Sequence, residues 1–133
     1  WGPACAGATA LASLLHRGVI RERPSLPVVE LAEHHIESVE TGVNWAGQQI
    51  QALGQHRDVA FVFAASLGEP EIQRLAAALE QRQVGAIWIG NRGPGVSMTV
   101  VDEDVETRLI LNGALAICLA RLIDTHTFGP MGD

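Results

Sequence analysis

The chain has 133 residues, a formal net charge of −6 and an apolar content of 47%. This length predicts one domain, spanning residues 1–133, and the apolar content is sufficient for a hydrophobic core. The nine basic residues are all arginines and are scattered singly along the chain. No basic patch that could follow a phosphate backbone is therefore predicted, which argues against direct binding of nucleic acid.

The two cysteines, Cys5 and Cys118, lie far apart and among small or apolar residues. We predict that both are buried, reduced thiols, as expected of a cytoplasmic protein. A reactive Cys5 at a helix start is the alternative, but the sequence indicates no His or Asp partner for it. Asn112, Gly113 and Arg121 interrupt the longest apolar run, so no membrane-spanning segment is predicted.

The first predicted element is a helix over residues 6–19, rich in small and apolar residues. Trp1 opens directly onto a glycine-bearing turn, which a strand would normally precede. We therefore expect an N-terminal strand, with further helices, to be missing from this chain. Residues 21–27 contain two prolines and form a polar connector that ends the helix. Residues 28–31 follow as a predicted strand.

Residues 33–37 form a polar loop that contains His34 and His35. Adjacent histidines on a strand point to opposite faces, and no third ligand has a defined spacing to them, so we predict no metal site. Glu33 or Glu37 could pair with a histidine for acid-base chemistry, although a solvated loop is the preferred interpretation. A helix follows from about residue 41 to residue 53, with Gly54 as its C-cap.

Residues 59–63 form an unbroken apolar run that predicts a strand buried on both faces, the central strand of a parallel sheet. Pro70 is suited to the first turn of the next helix, which continues to about Gln83. The loop between them lies where ligands bind in α/β sheets, and its helix N-terminus would suit a phosphate. However, Glu69 and Glu71 place two carboxylates in the first turn, and each opposes a bound anion.

A third strand is predicted over residues 84–89, followed by the glycine-rich turn at residues 90–95. This turn could cradle an anion with Arg92, but it has neither the ending of a P-loop nor dinucleotide spacing, so an ordinary turn is preferred. A fourth strand follows over residues 97–101. Strands that alternate with helices predict an α/β fold, a parallel sheet flanked by helices on both faces.

The last helix is predicted from residue 105 to about residue 123, capped by the acidic residues 102–104. It is apolar nearly all round, which predicts that another subunit covers it. Asn112 either sets the register of that interface or bonds to a neighbouring loop. Phe128, in the polar tail after this helix, either docks on its own domain or contacts a partner protein.

In this order of elements, the chain resembles the sugar isomerase (SIS) domain family, which includes phosphoheptose isomerases and DnaA initiator-associating proteins. The resemblance covers essentially the whole chain and rests on residues 22–27, on residues 51–54 running through Asp58, and on residues 122–124 with the tail bearing Phe128. It implies a three-layer, flavodoxin-like fold and favours the initiator-associating branch slightly.

The phosphosugar loops of that family are degenerate in this chain. The N-terminal loop of the family usually ends in a serine, whereas this chain has Ala4 there, followed by Cys5. The family's loop after the central strand carries several serines, whereas this chain has Ala64, Ala65, Ser66, Leu67, Gly68 and Glu69. A one-residue shift would bring Ser66 and Gly68 partly into register. The family's glutamate base falls at Ser13 or Leu14, and its histidine at Asn112. None of these side chains moves a proton at neutral pH, so isomerase activity is not expected.

We therefore predict a non-catalytic SIS-domain oligomer, a dimer or tetramer, that binds another protein, with the DnaA initiator as the partner that the resemblance implies. The alternatives are a phosphoheptose isomerase-like enzyme and a sugar-phosphate sensor. No cofactor or metal is predicted.

Overall fold

The computed structural model describes residues 5–18, 24–31, 38–99 and 104–130. These residues form helices and strands in the order α1 (Cys5–Arg17), α2 (Val39–Leu53), β1 (Val59–Phe63), α3 (Glu69–Gln81), β2 (Gly85–Ile89), β3 (Val96–Met98) and α4 (Val105–Phe128). The predictions for Trp1 to Ala4, for residues 33–37 with His34 and His35, and for residues 102–103 lie outside the described residues.

The three strands form one parallel sheet in the order β1-β2-β3. Phe63 at the end of β1 lies opposite Ile89 of β2, which in turn lies opposite Met98 of β3. The prediction that β1 is the central strand is wrong for the described sheet, because β2 is the strand with a neighbour on each side. Both strands are apolar runs of similar length, so composition alone did not distinguish the middle of the sheet from its edge.

Alternate side chains of β1 and β2 enter two different cores, as the pleat of a strand requires. Ala60, Val62, Ala86 and Trp88 pack towards α2 and α3. Phe61, Phe63, Ile87 and Ile89 pack with α1 and α4. Helices therefore cover both faces of the parallel sheet, which confirms the predicted α/β fold class.

Residues 28–31 were predicted to be a strand, and this prediction is wrong. Residues 24–31 have no regular secondary structure and are attached to α1 instead: the Thr9 hydroxyl donates a hydrogen bond to Glu30, and Leu26 N donates to Leu15 O at 3.3 Å. Two prolines in this segment have no N–H to donate to a ladder. Val28 still packs against the core between α1 and α4.

Both ends of α2 are capped. Gly54 caps the C-terminus, as predicted, and Ser38 caps the N-terminus. Ser38 Oγ accepts a hydrogen bond from Thr41 N at 3.2 Å, and the N–H of Gly54 donates to Ile50 O at 2.8 Å. The prediction for α4 is wrong at its C-terminus, since the helix continues to Phe128. It ends only at Gly129, whose φ of 81° favours glycine, so Phe128 lies in the helix and not in a tail.

One side of α4 packs against α1, and the opposite side is exposed and apolar. Ala116 and Ala120 are fully buried, whereas these large apolar side chains are exposed: Ile110, Leu111, Ile117, Leu122 and Phe128. This confirms that the helix is apolar on both sides. Cys118, predicted to be buried, is an exposed free thiol because it lies on the outer side.

When judged by length and composition alone, α4 is long and apolar enough to cross a membrane, which is weak evidence for a membrane span. A core helix of a soluble protein passes the same test. The packing of α4 against α1 and the sheet accounts for its apolar inner side without a membrane.

The N-cap of α4 gives a pH-dependent contribution to stability. Asp104 accepts hydrogen bonds from Thr107 N at 2.9 Å and from the Thr107 hydroxyl at 3.1 Å. The Thr107 backbone N–H, more than any other group, holds the pKa of Asp104 below its ordinary value of 3.8. The folded state thus favours the carboxylate, and this contribution is complete above the unfolded-state pKa and is lost as pH falls through the folded-state value.

We expect the stability advantage of the wild-type protein over Asp104→Asn to shrink as pH falls below 3.8, because asparagine retains an acceptor but does not titrate. Thermal denaturation of both proteins across an acidic pH series measures this difference. A difference that stays constant through the series would contradict the assignment of Asp104 as a charged cap.

Candidate functional site

Two loops lie side by side at the carboxyl edge of the sheet, where the parallel strands β1 and β2 end together. The first runs from Ala64 to Gly68 and the second from Gly90 to Gly95. Ala64 N donates to Ile89 O at 2.7 Å, which continues the ladder into the first loop. Asn91 Nδ2 donates to Leu67 O at 2.9 Å and joins the two loops. This edge is the location at which α/β sheets bind small ligands.

The side chains of the first loop offer little to an anion. Ala64 and Leu67 are buried in the core between the sheet, α2 and α3, and Ala65 packs on the opposite core. Ser66 is exposed between them and supplies the loop's hydroxyl. The structure thus places Ala64 to Gly68 of the predicted loop residues at the expected edge, whereas Ala4 lies outside the described residues.

Carboxylates of the chain itself occupy the N-terminus of α3. Gly68 is the N-cap and provides no side-chain hydrogen bond, and Pro70 lies in the first turn. A Cβ placed on Gly68 would lie 2.8 Å from Glu71 Oε2, so the Glu71 carboxylate lies directly against the cap residue. Glu69 Oε1 accepts from Gln73 Nε2 at 2.7 Å along the same helix. Negative charge therefore already lies where the helix dipole would attract a phosphate.

The second loop is built around an indole ring. Trp88 is fully buried, and its Nε1 donates to Pro94 O at 2.9 Å. Ser97 Oγ donates to Gly93 O and accepts from Gly93 N, each at 3.1 Å. Because these polar groups bond within the loop, they support the preferred interpretation of an ordinary glycine turn. Arg92 is exposed at the tip of this loop, and its backbone N–H donates a hydrogen bond to Asn91 Oδ1.

Asn112 of α4 lies beside the first turns of α1 and the end of β1. A Cβ on Gly7 would lie 2.5 Å from a ring carbon of Phe63 and 3.3 Å from Asn112 Cβ. Asn112 is only 5% exposed. It therefore lies within the fold of its own chain, on the side of α4 that faces α1, and not on the exposed side where the interface hypothesis would place it.

The positions at which the resemblance expects acid-base residues lie on α1 and α4, which pack against each other. Ser13 is exposed, Leu14 packs in the core between these helices, and Asn112 is buried. An alcohol, an alkyl group and an amide cannot transfer protons at neutral pH. In the described part of the chain, no cluster of His, Cys, Asp and Glu side chains is suited to a metal ion.

Two features of this edge were not predicted from the sequence. The hydrogen bond from Asn91 that joins the two loops depends on which strands are neighbours. In the sequence, the only signal for this bond is that Asn91 lies in a glycine-rich turn. The close approach of Gly7 to Phe63 likewise depends on the packing of α1 over β1, although a glycine inside a helix often indicates such an approach.

Comparison with known proteins found no matching family model. The chain is 27% identical over 130 residues to a phosphoheptose isomerase of Methylococcus capsulatus, an alignment that covers 82% of this chain and 64% of that protein. It is 27% identical over 123 residues to the phosphoheptose isomerase of Alkalilimnicola ehrlichii, covering 81% and 63%. The chain thus spans less than two thirds of the length of these relatives. The similarity supports a distant relationship with the sugar isomerase domain family, whereas membership of the initiator-associating branch remains a prediction.

Proposed function

We propose that this chain is a non-catalytic relative of the phosphosugar isomerases that acts, as an oligomer, by binding another protein. The observation that carries the proposal is the carboxylate of Glu71 against Gly68 at the N-terminus of α3. In a phosphosugar-binding protein this helix end would receive the phosphate. Here a fixed negative charge of the chain opposes it.

The absence of proton-transferring side chains at the expected positions supports the same proposal. Isomerisation of an aldose to a ketose moves a proton between adjacent carbons, and a positioned acid or base typically contributes about 10²–10⁴-fold to such a step. Ser13, Leu14 and Asn112 supply no such group. The chain is therefore better suited to using its fold as a scaffold than to catalysis.

A second candidate function is favoured by the comparisons, since both relatives are named phosphoheptose isomerase. In that case the chain binds a sugar phosphate through Ser66 and the loop around it, either as part of an isomerase or as a sensor. The two candidates differ in a measurable property, because only the second requires affinity for a sugar phosphate.

Thermal denaturation with sedoheptulose 7-phosphate separates the two candidates. A ligand at about 100 times its dissociation constant adds roughly 2.7 kcal/mol of stability. We expect no shift of the midpoint for the wild-type protein. We expect Glu69→Gln/Glu71→Gln to bind the sugar phosphate about 3- to 30-fold more tightly than the wild type, because each carboxylate at a helix N-terminus is worth about 0.3–1 kcal/mol.

The matched control is Glu80→Gln, which removes an exposed carboxylate from the other end of α3. It should leave affinity unchanged, since the dipole effect is confined to the first turn. A clear shift with the wild-type protein, together with turnover of the sugar phosphate that is lost on Ser66→Ala, would overturn the non-catalytic proposal.

The partner protein proposed from the resemblance is the DnaA initiator, in the cytoplasm. An oligomer presents several copies of one surface, which raises avidity for a multimeric partner. Immobilised chain is expected to retain the initiator at micromolar subunit concentration and low salt. Failure to retain it would rule out this partner and leave the thermal-denaturation result to decide on the sugar phosphate.

A further inference from the structure

The turns at the amino edge of the sheet, where β1 and β2 begin, hold the backbone in an uncommon conformation. Arg57 has a φ of 77° and Gln83 a φ of 55°, and among the described residues these are the positive values outside glycine. The register that pairs Val59 with Gly85 sets the two turns side by side. A left-handed backbone is strained for a residue with a Cβ, and such strain is concentrated at functional sites.

Arg82 lies over the turn that carries Arg57. Its Nε donates a hydrogen bond to Gly54 O at 2.9 Å, and its Cβ lies 3.6 Å from the place of a Cβ on Gly54. Both arginine side chains are exposed, and neither has a carboxylate partner among the described residues, where the ion pair is that of Arg74 with Glu40. The Nη groups of Arg82 and the whole guanidinium of Arg57 are therefore available to an anion.

Two exposed aliphatic side chains flank the same turn. Leu53 is the last residue of α2 and is 53% exposed, and Val59 is the first residue of β1 and is 57% exposed. Arginine is enriched at protein–protein interfaces, in which apolar groups form the centre and polar groups form the rim. Leu53, Arg57, Val59 and Arg82 are called the amino-edge patch below.

We propose that the amino-edge patch binds an acidic segment of a partner protein. Carboxylates of the segment bind the two guanidinium groups, and an aliphatic side chain of the segment packs against Leu53 and Val59. The proposal rests on the protein-binding role of the proposed function and assigns its surface and the chemistry of the partner. The patch lies at the edge of the sheet opposite the loops of the candidate site, so it is a separate site.

Carboxylates suit this patch better than a phosphate group does. Both α2 and α3 end at the amino edge, and the C-terminal end of a helix repels anions. Asp58 and Glu80 are also exposed close to the two arginines along the chain. These repulsions are about twice as large for a phosphate dianion as for one carboxylate. One guanidinium fork holds one carboxylate through two hydrogen bonds.

Fluorescence anisotropy of a labelled peptide of three Glu-Glu-Leu repeats, at low salt, tests the patch directly. We expect this peptide to bind the full chain and a matched peptide of three Ser-Ser-Leu repeats to bind more weakly. Arg57→Gly and Arg82→Gln should each lower the affinity for the acidic peptide about two- to fivefold, the range for one exposed ion pair. The control is Arg108→Gln, which removes an exposed arginine from α4 and should leave the affinity unchanged.

Thermal denaturation of Arg57→Gly distinguishes a binding role of Arg57 from a structural one. Glycine adopts the left-handed conformation without strain, so the midpoint should rise by about 2–4 °C while the affinity for the acidic peptide falls. A midpoint that falls, together with an unchanged affinity, would show that Arg57 supports the fold and would overturn its role in binding.

Retention of the initiator by immobilised chain separates failure of this inference from failure of the proposed partner. An Arg57→Gly/Arg82→Gln chain that retains the initiator as well as the wild type does would overturn the patch and leave the protein-binding function intact. A wild-type chain that binds the acidic peptide through both arginines but retains no initiator would support the patch and overturn only that partner. Displacement of the peptide by sedoheptulose 7-phosphate at a lower concentration than by free glutamate would overturn the assignment to carboxylates.

Discussion

Replacing Trp88 by alanine is expected to lower the free energy of unfolding by about 3–5 kcal/mol, the range for a fully buried large aromatic side chain. Trp88 is 0% exposed in the middle strand of the described sheet. Its ring packs with side chains of α2 and α3 on one face of the sheet. A cavity of this size can close only if two helices move. We therefore expect most of the cost of the cavity to appear as a lower free energy of unfolding.

The second loop depends on the same ring. Trp88 Nε1 donates to Pro94 O at 2.9 Å, and a Cβ on Gly93 would overlap the indole. Trp88→Phe keeps an aromatic ring but removes the N–H and leaves Pro94 O without this donor. It should therefore cost less than Trp88→Ala, and about 0.5–1.5 kcal/mol of its cost should come from the lost hydrogen bond.

Urea denaturation of the wild-type protein, Trp88→Ala and Trp88→Phe measures these differences. Trp45→Ala is the matched control, since Trp45 packs against the same core from α2 but is only partly buried. It should cost less than Trp88→Ala. Equal losses at the two positions would contradict the assignment of Trp88 as the centre of this core.

The sequence predicted the elements that depend on local patterns and missed features that depend on neighbours. The apolar run at residues 59–63 was correctly interpreted as a strand, although not as the central one, and Pro70 in the first turn of α3 and Gly54 after α2 were correctly interpreted. Residues 28–31 have the composition of a strand but lack a partner strand among the described residues. A strand is defined by its hydrogen bonds to a neighbouring strand, and the composition of one segment does not show whether that neighbour is present.

Side-chain positions around the last helix were predicted less well than the helix itself. Cys118 was expected to be buried because its neighbours are apolar, yet it lies on the exposed side. Phe128 was expected in a tail because the residues around it are polar, yet only Gly129 ends α4. In a helix that is apolar all round, the sequence pattern does not show which side faces the core.

For the candidate site, the sequence identified the chemistry and the structure supplied the contacts. Glu69 and Glu71 were recognised as carboxylates in the first turn of α3, which is a local property. Glu71 lies against Gly68, whereas Glu69 accepts a hydrogen bond from Gln73. These contacts depend on side-chain conformations, which the spacing of residues in the sequence does not predict. Loop-to-loop contacts such as Asn91 with Leu67 require the order of the strands.

Gly90→Ala is expected to destabilise the protein by about 2–4 kcal/mol, because it adds a strained backbone to a steric overlap. Gly90 has a φ of 87°, in the region that favours glycine. A Cβ there would lie 2.9 Å from Ala65 Cβ and 3.2 Å from Ala65 N. Backbone atoms cannot rotate away as the end of a flexible side chain can, so the two loops would have to separate.

Gly113→Ala provides the matched comparison within the same chain. Gly113 lies inside α4, and an added Cβ would meet no atom within 4 Å. Alanine should therefore stabilise the protein by about 0.5–1 kcal/mol through helix propensity alone. Urea denaturation of both variants should give free-energy changes of opposite sign. A Gly90→Ala protein as stable as the wild type would mean that the loops at the carboxyl edge are not held as closely as the structure shows, and that a ligand could open them at little cost.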